Sequence, residues 1–223
     1  VSHLSDHAFQ NNRLETISIS KDTDFNSSTL PASTTIISRS GNDIPAANNS
    51  SILTKSLAQA LVDEQGLNII IPANYTEIQF YAFEGQQLNS VEIPDSITYI
   101  GENAFDGNHL TTIEIPDSVT SIGGYAFRGN QLTSINLGNN VENISLHAFT
   151  GNQLTSIEIP NSVTKIGNYA FSGNQLTSVE IPDSVSHLSD HAFQNNRLET
   201  ISISKDTDFN SSTLPASTTI ISR

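Results

Sequence analysis

The dipeptide Ala-Phe recurs in this chain at a fixed spacing of 22 residues, and that spacing restricts the fold more than any other feature. The Phe members of the column are Phe83, Phe105, Phe127, Phe149, Phe171 and Phe193. Apolar positions such as Leu88, Val91 and Ile93 keep the same period in the units that follow. Several apolar columns in one register are typical of a solenoid, in which each unit buries its apolar face against its neighbours. We therefore predict that the six Phe side chains form a continuous core.

Each unit follows the pattern L-x-x-I-x-I-P-D-S-V-T-x-I-G-x-x-A-F-x-G-N-x. Apolar and polar residues alternate from Ile135 to Leu137, which predicts a strand with Asn136 facing outward. A Pro follows the strand in most units, for example Pro116, and it ends the strand because it has no N–H to donate. The predicted fold is a mainly β solenoid of parallel strands and short turns, with six units over residues 67–204.

Residues 115–135, with the sequence IPDSVTSIGGYAFRGNQLTSI, resemble the BspA-type leucine-rich repeat of bacterial and protist surface proteins. The resemblance extends over residues 67–204, with two departures. Asn130 and its equivalents stand where that family often has Cys, and the unit LGNNVENISLHAF lacks the Pro and the Gly of its neighbours. The resemblance implies a leucine-rich-repeat solenoid that is secreted or anchored at the cell surface and acts in adhesion and partner binding.

The chain also contains a longer repeat, because residues 1–39 are identical to residues 185–223 at an offset of 184. We interpret residues 1–39 as the C-terminal part of a preceding tandem module, although an artificial duplication is an alternative explanation. Residues 40–50 are a polar linker. Residues 51–66 are predicted to form an N-terminal capping α-helix, with Ser50 or Ser51 as its N-cap and Gly66 at its end. Residues 205–223, where the period dissolves, are predicted to form the C-terminal cap.

Composition excludes several functional classes. The chain has no Cys, which rules out disulfides, thiol catalysis and thiolate zinc sites. Nine basic residues against 23 acidic ones give a net charge of −14, which argues against nucleic acid and anionic membranes as partners. The sequence has no run of 18 apolar residues, so it predicts no transmembrane segment. Because we find no nucleophile with a base and an orienting acid, and no phosphate-binding loop, we predict no catalytic residues and no enzyme activity.

Outward-facing positions of the predicted strands form an acidic column and a hydroxyl column. The candidate binding face comprises Glu92, Glu114, Asn136, Glu158 and Glu180, with Ser134, Ser156 and Ser178 beside them. A second acidic column, at Asp95, Asp117 and Asp183, follows the strand exits. This face could attract Ca²⁺ or a basic partner. The simpler interpretation is a solvated surface that prevents the sheet from pairing with other sheets.

One short motif suggests calcium. Asp206, Asp208 and Asn210 have the D-x-D-x-N spacing that opens a calcium loop, and Asp22, Asp24 and Asn26 repeat it. The motif lacks a Gly at its sixth position and a Glu at its twelfth. Ca²⁺ is the one cofactor that we consider. His187 and His191, with their copies His3 and His7, are four residues apart but are expected to be ordinary surface residues on a strand and a turn.

Two further columns precede and follow the Phe column. An aromatic column contains Tyr81, Tyr125, His147, Tyr169 and His191. It is either a contact surface or half-buried packing. An amide column contains Asn108, Asn130, Asn152, Asn174 and Asn196. We predict that these amides bond backbone groups at the corners between one unit and the next.

Together these features predict a non-enzymatic structural or adhesive module of an extracellular tandem-repeat protein. We expect it to bind further copies of itself head to tail, because residues 1–39 carry a strand and a cap without the repeats that would cover them. The alternative is a soluble or surface module that binds a host or neighbouring-cell protein or glycan, with or without calcium. Length and avidity from tandem copies favour the first prediction.

Overall fold

A computed structural model describes residues 16–19, 35–38, 43–44, 51–214 and 217–223. The chain divides into two compact units, Val1–Ser51 and Ile52–Arg223. In the first unit, β1 (Thr16–Ile19) pairs in parallel with β2 (Thr35–Ser38), and β2 pairs antiparallel with β3 (Asp43–Ile44). The copies of the calcium motif and of the histidine pair in residues 1–26 lie outside the described residues.

The second unit begins with a short strand and then a helix. Strand β4 (Ile52–Leu53) precedes helix α1 (Lys55–Gln65). The helix therefore starts four residues later than the predicted residue 51, and Thr54 rather than Ser50 or Ser51 is its N-cap, since Thr54 Oγ1 accepts from Leu57 N–H. Leu53 lies inside the range predicted as helix, but it is buried in β4, where an extended backbone lets it join the core. Gly66 ends the helix as predicted.

After α1 the chain builds a column of short parallel strands that includes the predicted strand in five of the six units. The column contains β5 (Asn68–Ile70), β7 (Ser90–Glu92), β9 (Thr112–Glu114), β11 (Ser134–Asn136), β14 (Ser178–Glu180), β16 (Thr200–Ile203) and β18 (Thr219–Ser222). Hydrogen bonding divides it into three small sheets, β5-β7, β9-β11 and β14-β16-β18. Residues 156–158 occupy the corresponding place without forming a regular strand.

A second column of strands was missing from the prediction, which gave each unit one strand. Two-residue strands form a continuous parallel sheet of eight, from β4 to β17. Its other members are β6 (Glu77–Ile78), β8 (Tyr99–Ile100), β10 (Ser121–Ile122), β12 (Asn143–Ile144), β13 (Lys165–Ile166), β15 (His187–Leu188) and β17 (Asp208–Phe209). Ile100 and its equivalents supply the buried residue of each strand except β17, so two columns of strands enclose the core.

The core is a stack of identical layers. All six Phe side chains are fully buried, as predicted, and successive rings lie nearly parallel with centroids 5.2 to 5.4 Å apart. The Ala-Phe corner also carries its own ladder, because Phe105 N–H donates to Ala126 O at 2.8 Å and the same bond recurs in the next units. Each layer is therefore bonded to its neighbours along the strands and at the corner.

Residues 205–223 continue the stacking instead of leaving it. β17 pairs with β15 at a spacing of 21 residues, and β18 pairs with β16 at a spacing of 19. The predicted C-terminal cap is thus a shortened final turn, with a 3-10 helix at Ser211–Thr213 between its strands. The 22-residue pattern disappears from the sequence here because the turn between the strands is shorter, although the strand positions are retained.

Candidate binding surface

The first strand column exposes the first and third side chain of each of its three-residue strands. In β9, Thr112 and Glu114 are exposed on either side of the buried Ile113, and β5, β7 and β14 share this pattern. Every member of the predicted binding face is exposed: Glu92, Glu114, Asn136, Glu158, Glu180, Ser134, Ser156 and Ser178. The parallel register places equivalent side chains side by side, as with Asn136 and Glu114. The structure therefore brings these residues together on one face.

An open groove of about 1660 Å³ lies over this face. Its lining includes Glu92, Glu114, Glu158, Glu180, Asp95, Asp117 and Asp183. Arg223 is the one basic residue among the lining residues. Neighbouring strands of a sheet lie about 4.8 Å apart, so carboxylates in adjacent rows add their negative potential along the groove. The groove is therefore a surface that attracts cations.

Arg223 occupies the C-terminal end of the groove. Its guanidinium donates hydrogen bonds to Glu180 Oε1 and to the Ile181 carbonyl, and it lies 3.3 Å from Asp183 Oδ1. Both carboxylates remain largely exposed, so this pair contributes little to the stability of the fold. The contact does show that the two acidic columns are spaced so that one guanidinium reaches both.

Hydroxyl groups differ between the two strand columns. Along the second column Thr98, Thr120 and Thr164 donate to carbonyls of the preceding unit at 3.2 to 3.4 Å. On the exposed face of the first column, within the described residues, no side-chain hydrogen bond is made by the hydroxyls of Ser134, Ser156 and Ser178, which lie outside the groove lining. These hydroxyls are thus free to contact a ligand beside the groove.

The aromatic column forms a ridge of stacked rings, which we define as Tyr125, His147, Tyr169 and His191. Successive centroids lie 4.8, 4.8 and 5.0 Å apart, and the Arg128 guanidinium lies 5.0 Å from the Tyr125 centroid. The backbone of all four residues is left-handed, with φ between 55 and 61°. The rings are half-buried and cover each other's faces, which favours the packing interpretation of this column.

Charge is distributed unevenly along the ridge. Arg128 makes a two-pronged contact with the buried Asp106, at 3.0 Å from Nε and 2.6 Å from Nη2, and this hydrogen bonding raises the pKa of Arg128. His147 Nδ1 lies 3.0 Å from Thr150 Oγ1. Desolvation by burial and then the positive charge of Arg128 lower the pKa of His147. His147 is therefore held toward its neutral form.

The amide column bonds the corners of successive units, as predicted. Asn130 Nδ2 donates to the carbonyls of Phe105 and Phe127 at 2.9 and 3.2 Å, while its Oδ1 accepts from Leu110 N–H at 3.1 Å. The remaining members of the column repeat the pattern: Asn108, Asn152, Asn174 and Asn196. These side chains, all buried except the half-buried Asn196, satisfy backbone groups of two units at once.

The family profile described as BspA type Leucine rich repeat region (6 copies) matches residues 63–157 and 143–222. The two matches together extend over more than half of the 223 residues. The chain belongs to the BspA-type leucine-rich repeat family. Proteins of this family are secreted or displayed at the cell surface and are typically not enzymes, and no helix in the described part of this chain is both long and apolar enough to cross a membrane.

Three solved structures are similar to this BspA-type chain. A leucine-rich repeat protein from Eubacterium ventriosum is 29% identical, with 60% of this chain and 33% of that chain covered and a TM-score of 0.47. The pneumococcal vaccine antigen PcpA is 22% identical, with 61% and 44% covered and a TM-score of 0.49. A leucine-rich repeat protein from Bacteroides ovatus is 25% identical, with 73% and 53% covered and a TM-score of 0.40. A search of the curated proteins found no significant match.

The matched region of this chain spans about a third to a half of those three proteins.

The irregular BspA-type unit has amides where the preceding unit has Asp117 and Ser118, namely Asn139 and Asn140. Asn140 Nδ2 donates to Asp117 O at 2.9 Å, where Ser118 of the preceding unit donates its hydroxyl to Ile97 O. Asn139 N–H is bonded by the Asp117 carboxylate at 2.7 Å. The stacking therefore continues through this unit.

The residues of the calcium hypothesis are exposed and lie on and beside the edge strand β17. Asp208 Oδ2 is 3.1 Å from His187 Nδ1, and Asp206 N–H donates to Ser204 Oγ at 3.3 Å. Asn210 follows β17 and precedes the 3-10 helix. His187 and His191 do not converge, since His187 faces Asp208 while His191 stacks on Tyr169. No cluster of three His, Asp or Glu side chains suited to a metal occurs among the described residues, and calcium binding here stays a prediction.

Proposed function

We propose that this chain is a non-enzymatic adhesion module displayed outside the cell, and that its groove binds a basic segment of a partner protein. The observation that carries the proposal is the set of seven carboxylates that line one groove, with the Arg223 guanidinium already bound at its end. A net charge of −14 adds long-range attraction for a cationic partner. Family membership supports display at the surface or secretion.

The spacing of the groove favours arginine over lysine. A guanidinium presents several N–H donors in one plane, and Arg223 uses them on a carboxylate, on a backbone carbonyl and near a second carboxylate. An ammonium is a compact charge that cannot span the same set of acceptors. Free hydroxyls at Ser134, Ser156 and Ser178, beside the groove, offer further acceptors from one strand to the next.

Binding of a short arginine-rich peptide to the full chain tests this function. We expect the double variant Glu114→Gln/Glu158→Gln to bind roughly tenfold more weakly at low salt, because it removes two carboxylates from the middle of the groove. Glu77→Gln/Glu142→Gln is the matched control, since Glu77 and Glu142 are exposed acids outside the groove lining and this variant removes the same charge. Equal losses for both variants would show that net charge alone attracts the peptide.

We also propose that modules of this kind associate head to tail into an array. The identity of residues 1–39 and 185–223 supports it, as does the strand pairing, because Thr16 lies opposite Thr35 as Thr200 lies opposite Thr219. Light scattering of the full chain should give particles that grow with concentration. A truncated chain of residues 52–223, which retains the compact second unit, should remain monomeric. Identical scattering of the two would contradict the array.

A further inference from the structure

The two ends of the first strand column differ in how the outward-facing backbone N–H and C=O groups of the edge strand are hydrogen-bonded. At the N-terminal end, the Gln65 side chain bonds the edge strand β5, since Ile70 N–H donates to Gln65 Oε1 at 2.7 Å and Gln65 Nε2 donates to Ile70 O at 3.1 Å. One amide thus takes the place of a neighbouring strand at Ile70. This end is not available at Ile70 for pairing with a strand of another molecule.

The C-terminal end is open. Within the described part of the chain, β18 pairs with β16 alone, and Thr219 N–H and Arg223 N–H donate to carbonyls on that side. Because bonding groups alternate along a strand, the N–H and C=O groups of Ile220 and Ser222 turn to the open side. Ile220 and Ile221 are 41% and 49% exposed. An edge of this kind is a template for another strand.

Residues 1–39, which are identical to residues 185–223, show which kind of strand pairs with the outer side of a strand like β18. In the first unit, β1 and β2 repeat the register of β16 and β18, and there β3 covers the outer side of β2. The pairing is antiparallel, with Ile44 opposite Ile36 and Asp43 opposite Ile37. By the offset of 184, Ile36 and Ile37 are the counterparts of Ile220 and Ile221. Among the residues that the structure describes, the same four-residue strand therefore has a covering strand in one copy and none in the other.

We propose that β18 is a docking site for strand β3 of a second copy of this chain, which adds antiparallel with its Ile44 opposite Ile220 and its Asp43 opposite Ile221. Strands β2 and β18 have the same sequence. A β3 strand that leaves β2 of its own chain and pairs with β18 of another therefore loses and regains equivalent backbone hydrogen bonds. The donor chain is left with an open β2, so the contact does not close on itself. This inference rests on the proposed head-to-tail association and assigns its contact.

Disulfide trapping tests the register, because the chain contains no Cys of its own. Directly opposed Cα atoms in an antiparallel pair lie about 4.5 to 5.5 Å apart, within reach of a disulfide. An Ile44→Cys chain mixed with an Ile220→Cys chain should give a mixed covalent dimer under mild oxidation. Ile44→Cys mixed with Glu142→Cys, an exposed site away from the edge, is the control, and we expect at least a fivefold lower yield from it.

Equal dimer yields from the two mixtures would overturn the proposal. The double variant Ile36→Cys/Ile44→Cys should close within one chain, and its failure to close would also overturn it, since the register is taken from that pair. Light scattering separates this result from the proposed function. Association without the Ile44–Ile220 disulfide would leave the array intact and this contact wrong, whereas a monomeric full chain would contradict both.

Discussion

The side-chain amide of Asn130 donates a hydrogen bond to the carbonyl of Phe105, 25 residues earlier in the chain, at 2.9 Å. The same amide bonds Phe127 O, and its oxygen accepts from Leu110 N–H. One buried side chain thus holds three backbone groups that are remote from water. Each buried group left without a partner costs about 1 to 3 kcal/mol, so the amide column has a large structural role.

Replacement of this amide tests that role. Asn130→Leu should lower the free energy of unfolding by about 1 to 3 kcal/mol, because it leaves Leu110 N–H without a partner and removes one of two amide donors from each carbonyl. Asn130→Asp should cost at least as much at neutral pH, since it places a buried carboxylate oxygen against the carbonyls of Phe105 and Phe127. The measurement is urea denaturation, with Gln131→Leu at the neighbouring exposed site as control. A loss no larger than that of the control would contradict the role.

The Phe stack predicts a second large effect. Phe149→Ala should destabilise the fold by about 3 to 5 kcal/mol, because it opens a cavity between two parallel rings. Phe80→Ala removes the same side chain where it is 56% exposed, and it should cost less than 1 kcal/mol. Calorimetry of both variants gives the comparison, and similar melting temperatures would show that the stack is not tightly packed.

The backbone at Gly123 lies close to the backbone of the preceding unit. A Cβ atom at this position would lie 2.6 Å from Glu102 N, whereas one at Gly124 would lie 3.3 Å from its nearest atom, Leu146 O. We expect Gly123→Ala to cost about 1 to 3 kcal/mol by overpacking and Gly124→Ala to cost less. Ser145 occupies the equivalent position in the next unit, where its N–H···O distance to the preceding unit lengthens to 3.3 Å. Equal stability of the two Ala variants would contradict this expectation.

The stacked histidine predicts a pH effect. Burial, then Arg128, lowers the pKa of His147 in the folded chain, so the unfolded chain binds more protons near the ordinary pKa of 6.5. Stability from this group is therefore present above that pH and is lost as pH falls through it toward the lower folded pKa. His147→Phe keeps a stacked ring and should reduce the difference in urea midpoint between pH 7.5 and pH 5.5. His109→Phe, at an exposed site outside the ridge, should leave that difference unchanged.

Calcium binding at Asp206, Asp208 and Asn210 is tested by melting in millimolar Ca²⁺. If the loop holds the ion, binding to the folded state raises the melting temperature, and Asp208→Ala reduces the rise. Mg²⁺ at the same ionic strength is the control for screening of the acidic surface. A melting temperature that does not change with Ca²⁺ would assign these residues to the solvated surface.

The 22-residue period predicted the solenoid, the Phe core and the amide column because each depends on positions that repeat in every unit. The second strand column escaped prediction, since two-residue strands such as Tyr99–Ile100 are too short for an alternating pattern. The start of α1 was placed too early because Leu53 suits a helix face and a buried strand equally well. Arg223 occurs once, so no column pointed to its place in the groove, and its contacts depend on how the shortened final turn folds back.

The shortened final turn also has a mechanical consequence. The offset of 184 residues between the identical segments exceeds eight periods of 22 residues by 8, and the last strands are spaced by 21 and 19 residues. The repeat register of one module therefore does not continue into the next along the sequence. In an array, we expect each solenoid to bear tension as a separate mechanical unit, because its layers are bonded to one another and not to a register shared by the whole chain.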